Sequence, residues 1–249
     1  MPETGALKQI LEQVDLAKKG LDAYAPSGFG WHQRCRNTVT ELIPWLVQEA
    51  PHLQSYVGRA LNSPTLLREA WTALKPQIDS PAEVARLDEL FAMENVLLAF
   101  IAGDTVSTVV TGHLLAQHPK QTLAGNSKSD YPDIFLTTAD YSELLTRAKG
   151  EEDFGAAVRG KQRKPIRVPD GLEIKTSRDN ARIDCHFAHV GLHLMVSFKT
   201  TGDRVIVDDV LAAFLRYENY SITKPKTGAT TLKASFSRAP FVSLLPAQN

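Results

Sequence analysis

The spacing of apolar residues predicts helices in the first hundred positions of the chain. Two sets of apolar side chains each fall on one helix face: Leu7, Ile10, Leu11 and Val14; and Val39, Leu42, Ile43, Leu46 and Val47. Proline with serine interrupts the pattern at residues 26–28 and 63–64, and Ser80 with Pro81 begins a further helix. Residues 87–102 are apolar on most sides and predict a buried helix. The sequence thus predicts a helical region over residues 1–103.

The pattern becomes that of β-strands after about Gly112. Residues 134–136 form a short apolar run, and residues 172–175 and 192–198 alternate in the way of half-buried strands. Residues 204–207 and 230–237 predict two more strands. For residues 208–217 we predict a helix, because Val210, Leu211, Phe214 and Leu215 would lie on its buried side. Strands mixed with helices predict an α/β core over residues 104–249, behind the helical region.

Composition and charge are ordinary for a soluble globular protein, but charge is unevenly divided along the chain. Of 249 residues, 43% are hydrophobic and 22% are charged, and the formal net charge is zero. From residue 147 onward there are 17 Lys and Arg against 11 Asp and Glu, a balance of +6, so residues 1–146 hold −6. This asymmetry favours a polyanion-binding surface on the second half, and the alternative is chance clustering on a solvated face.

Neither a membrane nor a secretion route is indicated. No apolar run reaches the roughly 18–20 residues of a membrane-spanning helix, and the first residues lack the basic-then-apolar pattern of a secretion signal. Cys35 and Cys185 are too few for a disulfide framework or a cysteine-based zinc site. We therefore expect a cytoplasmic protein with reduced thiols and no membrane partner.

Residues 147–168 form a segment rich in charge and glycine. Five basic residues lie close together in it: Arg159, Lys161, Arg163, Lys164 and Arg167. Such a segment is typical of an arm that contacts phosphates. The alternative is a solvated insertion, and both interpretations hold if the segment orders on DNA.

Two short segments contain the residues for which we predict chemistry. Asp133 follows a proline at the start of one predicted strand. Glu173 and Lys175 project from one face of another, because residues two apart on a strand point the same way. If the two strands are adjacent, two carboxylates and one ammonium group converge. The alternative is a surface Glu/Lys pair on an edge strand, which contributes little.

This combination of groups suits the hydrolysis of a phosphodiester. A divalent cation neutralises the phosphate and helps to deprotonate a water molecule, and Mg²⁺ prefers oxygen ligands. Asp133, Glu173 and the carbonyl of Ile174 would hold the Mg²⁺ ion. Lys175 would orient or help to deprotonate the attacking water and stabilise the developing negative charge.

Pro132-Asp133 followed by Glu173-Ile174-Lys175 resembles the signature of the PD-(D/E)XK nuclease family, which includes most type II restriction endonucleases. The resemblance covers about residues 112–198. It implies a restriction-endonuclease-like mixed sheet flanked by helices, and Mg²⁺-dependent, sequence-specific cleavage of double-stranded DNA, usually by a homodimer. It also implies that Asp133 and Glu173 are metal ligands and that Lys175 is the catalytic lysine. The helical region would then support dimerisation or clamp the duplex.

The chain departs from the family pattern at two points. Glu173 lies forty positions after Asp133, a spacing longer than usual, so residues 147–168 must be an insertion. A second Pro-Asp pair at residues 169–170 is too close to Glu173 to lie on a separate strand, and we predict a turn there. A repair or recombination nuclease of the same fold, a non-catalytic DNA-binding protein and a zinc-dependent hydrolase are the alternatives.

A further acid and a histidine cluster are additional candidates. Members of the family often have another acid on a helix before the Asp strand, and Glu94, or else Glu89, is the candidate. Three histidines lie near Asp184 and Cys185 and suggest a zinc site: His186, His189 and His193. On a strand, however, His186 would oppose the other two. We favour a DNA or active-site contact for one of them, with His186 and His189 as the candidates, and packing for the others.

The remaining candidates for DNA contact are basic residues in the second half of the chain: Arg178, Arg182, Lys224, Lys226 and Lys233. The last three belong to residues 220–238, where hydroxyl and basic side chains predominate over acids. That composition is typical of phosphate contacts and groove readout, and also of a plain exposed hairpin.

Overall fold

The elements of the protein are taken from a computed structural model. It describes residues 5–24, 28–63, 102–120, 122–125, 131–136, 168–178, 183–185, 188–201, 204–223, 233–236 and 238–246, with isolated helical positions between 65 and 88. The helices with described bounds are α1 (Gly5–Asp22), α2 (Trp31–Leu61) and α3 (Ala102–Gln117). The strands are β1 (Leu123–Gly125), β2 (Ile134–Leu136), β3 (Gly171–Arg178), β4 (Ile183–Cys185), β5 (Gly191–Thr201), β6 (Arg204–Leu215), β7 (Tyr220–Thr223), β8 (Lys233–Phe236) and β9 (Val242–Ser243).

The strands form two sheets in the described part of the chain. The larger is six-stranded and mixed, in the order β1-β2-β3-β5-β6-β9. Its only parallel pair among the described strands is β3 with β5. The smaller sheet has the order β4-β8-β7. The α/β class predicted from the sequence is therefore confirmed, as are helices at α1 and α2 and strands at β2, β3, β5 and β8.

The three helices cover one face of the larger sheet. Their apolar residues form one core with Leu172 and Ile174 of β3 and with Leu192 and Leu194 of β5. Alternation along the strands then directs Glu173 and Lys175 to the opposite face. On that face a smaller apolar cluster contains Met195, Leu211, Ala213 and Leu215, with Tyr220 and Phe241 packed against it. The helical N-terminal part and the strands therefore share one core.

The predicted helix at residues 208–217 is wrong, because these residues belong to strand β6 and a short 3₁₀ helix at Tyr217–Asn219. Both faces of β6 are buried over residues 210–215, whereas residues 204–208 alternate between exposed and buried. Val210, Ala212 and Phe214 face the helices, whereas Leu211, Ala213 and Leu215 face the smaller cluster. A strand buried on both faces has a continuous apolar run rather than an alternating one. Such a run also contains pairs of apolar residues at helical spacing, which produced the error.

Amide side chains from the helices bind the backbone of β6 on the edge away from β5. Asn62 accepts from the N–H of Val205 at 2.8 Å and donates to its carbonyl at 2.6 Å. Gln54 donates to the carbonyl of Val207 at 3.0 Å. Gln13 accepts from the N–H of Phe214 at 2.7 Å and donates to the carbonyl of Pro240 at 2.6 Å. These contacts satisfy backbone groups that would otherwise be left without a strand partner.

None of the helices in the described ranges has both the length and the apolar character needed to cross a membrane.

We predict that Gln13→Ala lowers the free energy of unfolding by about 1–3 kcal/mol, because two backbone groups lose their partner. Urea unfolding followed by circular dichroism measures the change. Gln33→Ala is the matched control, since Gln33 is exposed on α2 and its side-chain amide donates to Asn37 of the same helix at 2.8 Å. Its effect should stay within about 0.5 kcal/mol. Equal effects of the two variants would contradict the role given to Gln13.

Candidate active site

The register between β2 and β3 brings Asp133 and Glu173 together. The strands are antiparallel, with Ile134 opposite Leu172 and Phe135 opposite Gly171. One step before β2 begins, the same register places Asp133 opposite Glu173. Opposite residues on neighbouring strands have their side chains on the same face and within contact distance. The strand adjacency that the sequence analysis required is thus present in the structure.

Hydrogen bonds arrange the three predicted catalytic residues around the start of β3. The Oδ2 atom of Asp133 accepts from the backbone N–H of Ile174 at 2.7 Å. The Nζ atom of Lys175 donates to Oε1 of Glu173 at 2.5 Å. The other oxygen of Glu173, Oε2, is buried and has no hydrogen-bond partner among the described residues. Two carboxyl groups and one ammonium group therefore meet on the sheet face opposite the helices.

The electrostatics of this cluster favour protons on the acids. Burial raises the pKa of Glu173 to about 7; the Lys175 ammonium opposes this rise and the Asp133 charge adds to it. Burial also raises the pKa of Asp133, against the lowering effects of the Lys175 charge and the Ile174 N–H. The charge of one ammonium group is thus insufficient to offset the loss of hydration of two buried carboxylates.

The arrangement fits the Mg²⁺ ligands expected from the resemblance. A buried carboxylate oxygen without a partner, next to a second carboxyl group, is the type of donor that Mg²⁺ takes. The N–H of Ile174 points to Asp133, and both backbone polar groups of one strand residue point to the same edge. The carbonyl of Ile174 is therefore directed to that edge as well. Asp133, Glu173 and Ile174 could together supply the donor set.

The histidines do not form a zinc site in the described part of the chain, where no three His, Cys, Asp or Glu side chains are grouped to hold a metal. His193 is fully buried; its Nδ1 donates to the carbonyl of Gly191 at 2.8 Å and its Nε2 lies 3.2 Å from the Tyr220 hydroxyl. Burial, assisted by the Lys175 charge and opposed by the bond to Gly191, lowers the pKa of His193 to about 3. His193 is thus a neutral packing residue.

Asp170, the acid of the second Pro-Asp pair, lies in the bend before β3, as predicted. Arg34 of α2 donates from Nε to its Oδ2 at 2.8 Å. The hydroxyl of Thr38 donates to its backbone carbonyl at 3.2 Å. Asp170 therefore joins the start of β3 to α2 on the side away from the carboxyl cluster.

Few of the predicted DNA-contacting residues lie in the described ranges. Arg178 is exposed at the end of β3. Lys233 is the first residue of β8. His189 is half-buried, with its ring stacked on that of Tyr131. The other predicted site residues lie outside the described residues: Glu94 and its alternative Glu89, Arg159, Lys161, Arg163, Lys164, Arg167, Arg182, His186, Lys224 and Lys226.

Sequence reasoning missed the residues that hold Asp133 in place. Pro132 packs on Gly171, where a Cβ atom would lie 2.0 Å from the proline Cγ. Tyr131 is buried, and the peptide bond between Tyr131 and Pro132 is cis. The only sequence signal was that Tyr131 and Pro132 immediately precede the candidate acid. Their contacts include Gly171, 39 positions after Pro132, and Val190, 59 positions after Tyr131, which a local pattern does not show.

Comparisons of the chain with protein-family models, with curated proteins and with solved structures gave no match.

We predict that without divalent cations the free energy of unfolding falls as the pH rises from about 5 to 7. In this window folded Glu173 keeps a proton, since its pKa is about 7, whereas the unfolded chain has lost it near the usual value of 4.5. The folded state binds more protons, so raising the pH disfavours it. At about 1.4 kcal/mol per pKa unit, the loss is on the order of 2 kcal/mol.

Urea unfolding at a series of pH values measures this dependence for the wild type and for Glu173→Gln. The amide does not titrate, so the variant should show a flatter curve and a gain in stability over the wild type at neutral pH. Glu12→Gln removes an exposed acid of α1 and is the control for a simple change in net charge. Parallel curves for the wild type and Glu173→Gln would contradict the prediction.

Proposed function

We propose that the protein is a Mg²⁺-dependent nuclease that hydrolyses phosphodiester bonds in double-stranded DNA at specific sequences, as type II restriction endonucleases do. The observation behind the proposal is that Asp133 and Glu173, distant in sequence, face each other across β2 and β3 with Lys175 bonded to Glu173. If the Glu173–Lys175 ion pair had only a structural role, the buried carboxyl group of Asp133 beside it would be unfavourable, because two neighbouring carboxylates repel each other.

Each residue of the cluster has a role in this chemistry. Asp133 and Glu173 would hold the cation together with the carbonyl of Ile174. When bound, Mg²⁺ supplies neutralisation of the phosphate and a lowered pKa for a bound water. Lys175 is partly accessible, with 21% of its side chain exposed, and so can orient a water and stabilise negative charge on the phosphate. The Ile174 N–H fixes Asp133 before any ligand arrives.

The arrangement of strands supports a restriction-endonuclease-like fold within the α/β class. The Pro-Asp segment immediately precedes β2, the Glu-x-Lys segment lies on β3, which is antiparallel to β2, and the third predicted strand, β5, pairs with β3. The charge balance of +6 from residue 147 onward supports a polyanionic partner. A homodimer on a palindromic site belongs to the same proposal, since two-fold DNA sites match two-fold proteins.

We predict that Lys175→Ala and Glu173→Ala abolish cleavage while sequence-specific DNA binding stays measurable in Ca²⁺. Loss of a positioned acid–base group costs roughly 10²–10⁴-fold in rate. A large phage genome incubated with Mg²⁺ and the wild type should give discrete fragments on a gel, and both variants should leave it intact. Lys199→Ala is the matched control, because Lys199 lies on β5 of the same sheet but is exposed and paired with Asp208. Full activity of both site variants would end the proposal.

We further predict that Mg²⁺ raises the melting temperature of the wild type much more than that of Glu173→Gln. A ligand that binds only the folded state stabilises it by about 2.7 kcal/mol at a hundred times its dissociation constant. Differential scanning fluorimetry across a Mg²⁺ series at pH 7.5 measures the shift. Glu49→Gln serves as the control, since Glu49 is a half-buried acid bonded to His113 at 2.6 Å, away from the site. Similar shifts in all three proteins would contradict binding at Glu173.

Two alternatives give different results in the same assays. A repair or recombination nuclease of this fold would depend on a structured junction rather than on a short sequence. A non-catalytic DNA-binding protein would not nick plasmid DNA in Mg²⁺, and its binding would weaken steeply with salt.

A further inference from the structure

Residues 131–133 are joined to residues 189 and 190, which precede β5, by Tyr131. Its ring stacks on that of His189, with centroids 4.1 Å apart and planes at 12°. Its hydroxyl donates to the carbonyl of Val190 at 3.1 Å. Tyr131 precedes Asp133 by two positions and is buried. The position of the acid is therefore coupled to the segment 189–191 through one aromatic side chain.

The fit around Tyr131 and Pro132 leaves little freedom of movement. A Cβ atom on Gly191 would lie 2.4 Å from the Tyr131 hydroxyl, and one on Gly171 would lie 2.0 Å from Cγ of Pro132. Both glycines begin strands, β5 and β3 respectively. The two residues before Asp133 thus pack directly against backbone of the two central strands, where larger side chains would displace them.

His189 is itself fixed from the other side. Its backbone carbonyl accepts from the hydroxyl of Tyr220 at 2.8 Å, and the same hydroxyl lies 3.2 Å from Nε2 of the buried His193. On β5, His193 is the register partner of Glu173. The contacts therefore connect the Asp133 segment, by way of Tyr131 and His189, to the strand position beside the second acid.

We propose that Tyr131 and His189 are positioning residues that hold the Asp133 carboxyl in the geometry required for the cation. This inference rests on the proposed function. In it, His189 acts through its stacked ring rather than as the DNA contact predicted from the sequence. A stacked aromatic pair contributes roughly 0.5–1.5 kcal/mol beyond burial. Removing the stack takes one of the contacts from the segment next to Asp133; the hydrogen bond from the Ile174 N–H, the Tyr131 hydroxyl bond to Val190 and the packing of Pro132 on Gly171 are the described contacts that remain after His189→Ala.

The test measures Mg²⁺ binding by titration calorimetry on folded protein without DNA. His189→Ala and Tyr131→Leu should weaken Mg²⁺ binding by roughly 10-fold or more, the size typical of residues that support metal ligands indirectly. His189→Phe keeps a ring over Tyr131 and should restore the dissociation constant close to the wild-type value. Tyr56→Leu is the matched control, because Tyr56 stacks on His113 with centroids 4.6 Å apart, away from the site. It removes an equivalent pair and should leave Mg²⁺ binding unchanged.

The outcomes separate this inference from the proposed function. If the wild type binds Mg²⁺ and cleaves DNA but His189→Ala binds Mg²⁺ equally well, the positioning role is overturned and the nuclease proposal stands. A wild type that neither binds Mg²⁺ nor cleaves DNA overturns both. If His189→Ala weakens DNA binding in EDTA and leaves the Mg²⁺ constant unchanged, His189 is a DNA contact. Should Tyr131→Leu fail to fold, the half-buried His189 variants still decide the matter.

Discussion

The burial of the Glu173 carboxyl group beside Asp133 is the constraint on which the site depends. Removing two acids from water is unfavourable, and the single ammonium of Lys175 offsets only part of the cost. The fold maintains this arrangement because Leu172 and Ile174, the neighbours of Glu173 on β3, are fixed in the core with the three helices. Glu173 cannot turn away without removing those neighbours from the core. Apolar packing on the opposite face of β3 thus offsets the unfavourable free energy of burying the two carboxyl groups.

The fold was predictable from the sequence where one face of an element is polar. The helices α1 and α2 and the strand β3 have such a face, and their periodicity showed it. The first part of β6, residues 204–207, was predicted as a strand and is one. Residues 210–215 have apolar side chains on both faces, so their pattern did not distinguish strand from helix. β1, β4, β7 and β9, the strands with no predicted counterpart, have at most four residues each. β2 is as short but was predicted from its run of three large apolar residues, which none of these four strands has. Without such a run, a short strand depends on its partner strand for its conformation.

The part of the site that was predictable from the sequence is the part that follows from residue chemistry and from the alternation of side chains along a strand. Glu173 and Lys175 are two residues apart on a strand, so they had to share a face. The one further condition for the cluster was that the segment of Asp133 lie beside that strand. The contacts of Tyr131 were not predictable, because they depend on the approach of residues 189–191 to the Asp133 segment. Similarly, Asp170 resembled the candidate acid in sequence but pairs with Arg34 of α2. The two Pro-Asp dipeptides thus have different surroundings, because different elements pack against them.

The amide contacts of Gln13, Gln54 and Asn62 along β6 bear on how copies of the chain could associate. An outer strand with unpaired N–H and C=O groups is a template onto which another chain can add its own strand. Here side chains from α1 and α2 already occupy such groups on Val205, Val207 and Phe214, and β9 pairs with the stretch between. A strand from another chain that added along this edge of β6 would first have to displace these side chains and β9. Any two-fold partner is therefore expected to dock on a different surface, leaving the sheet of each copy complete in itself.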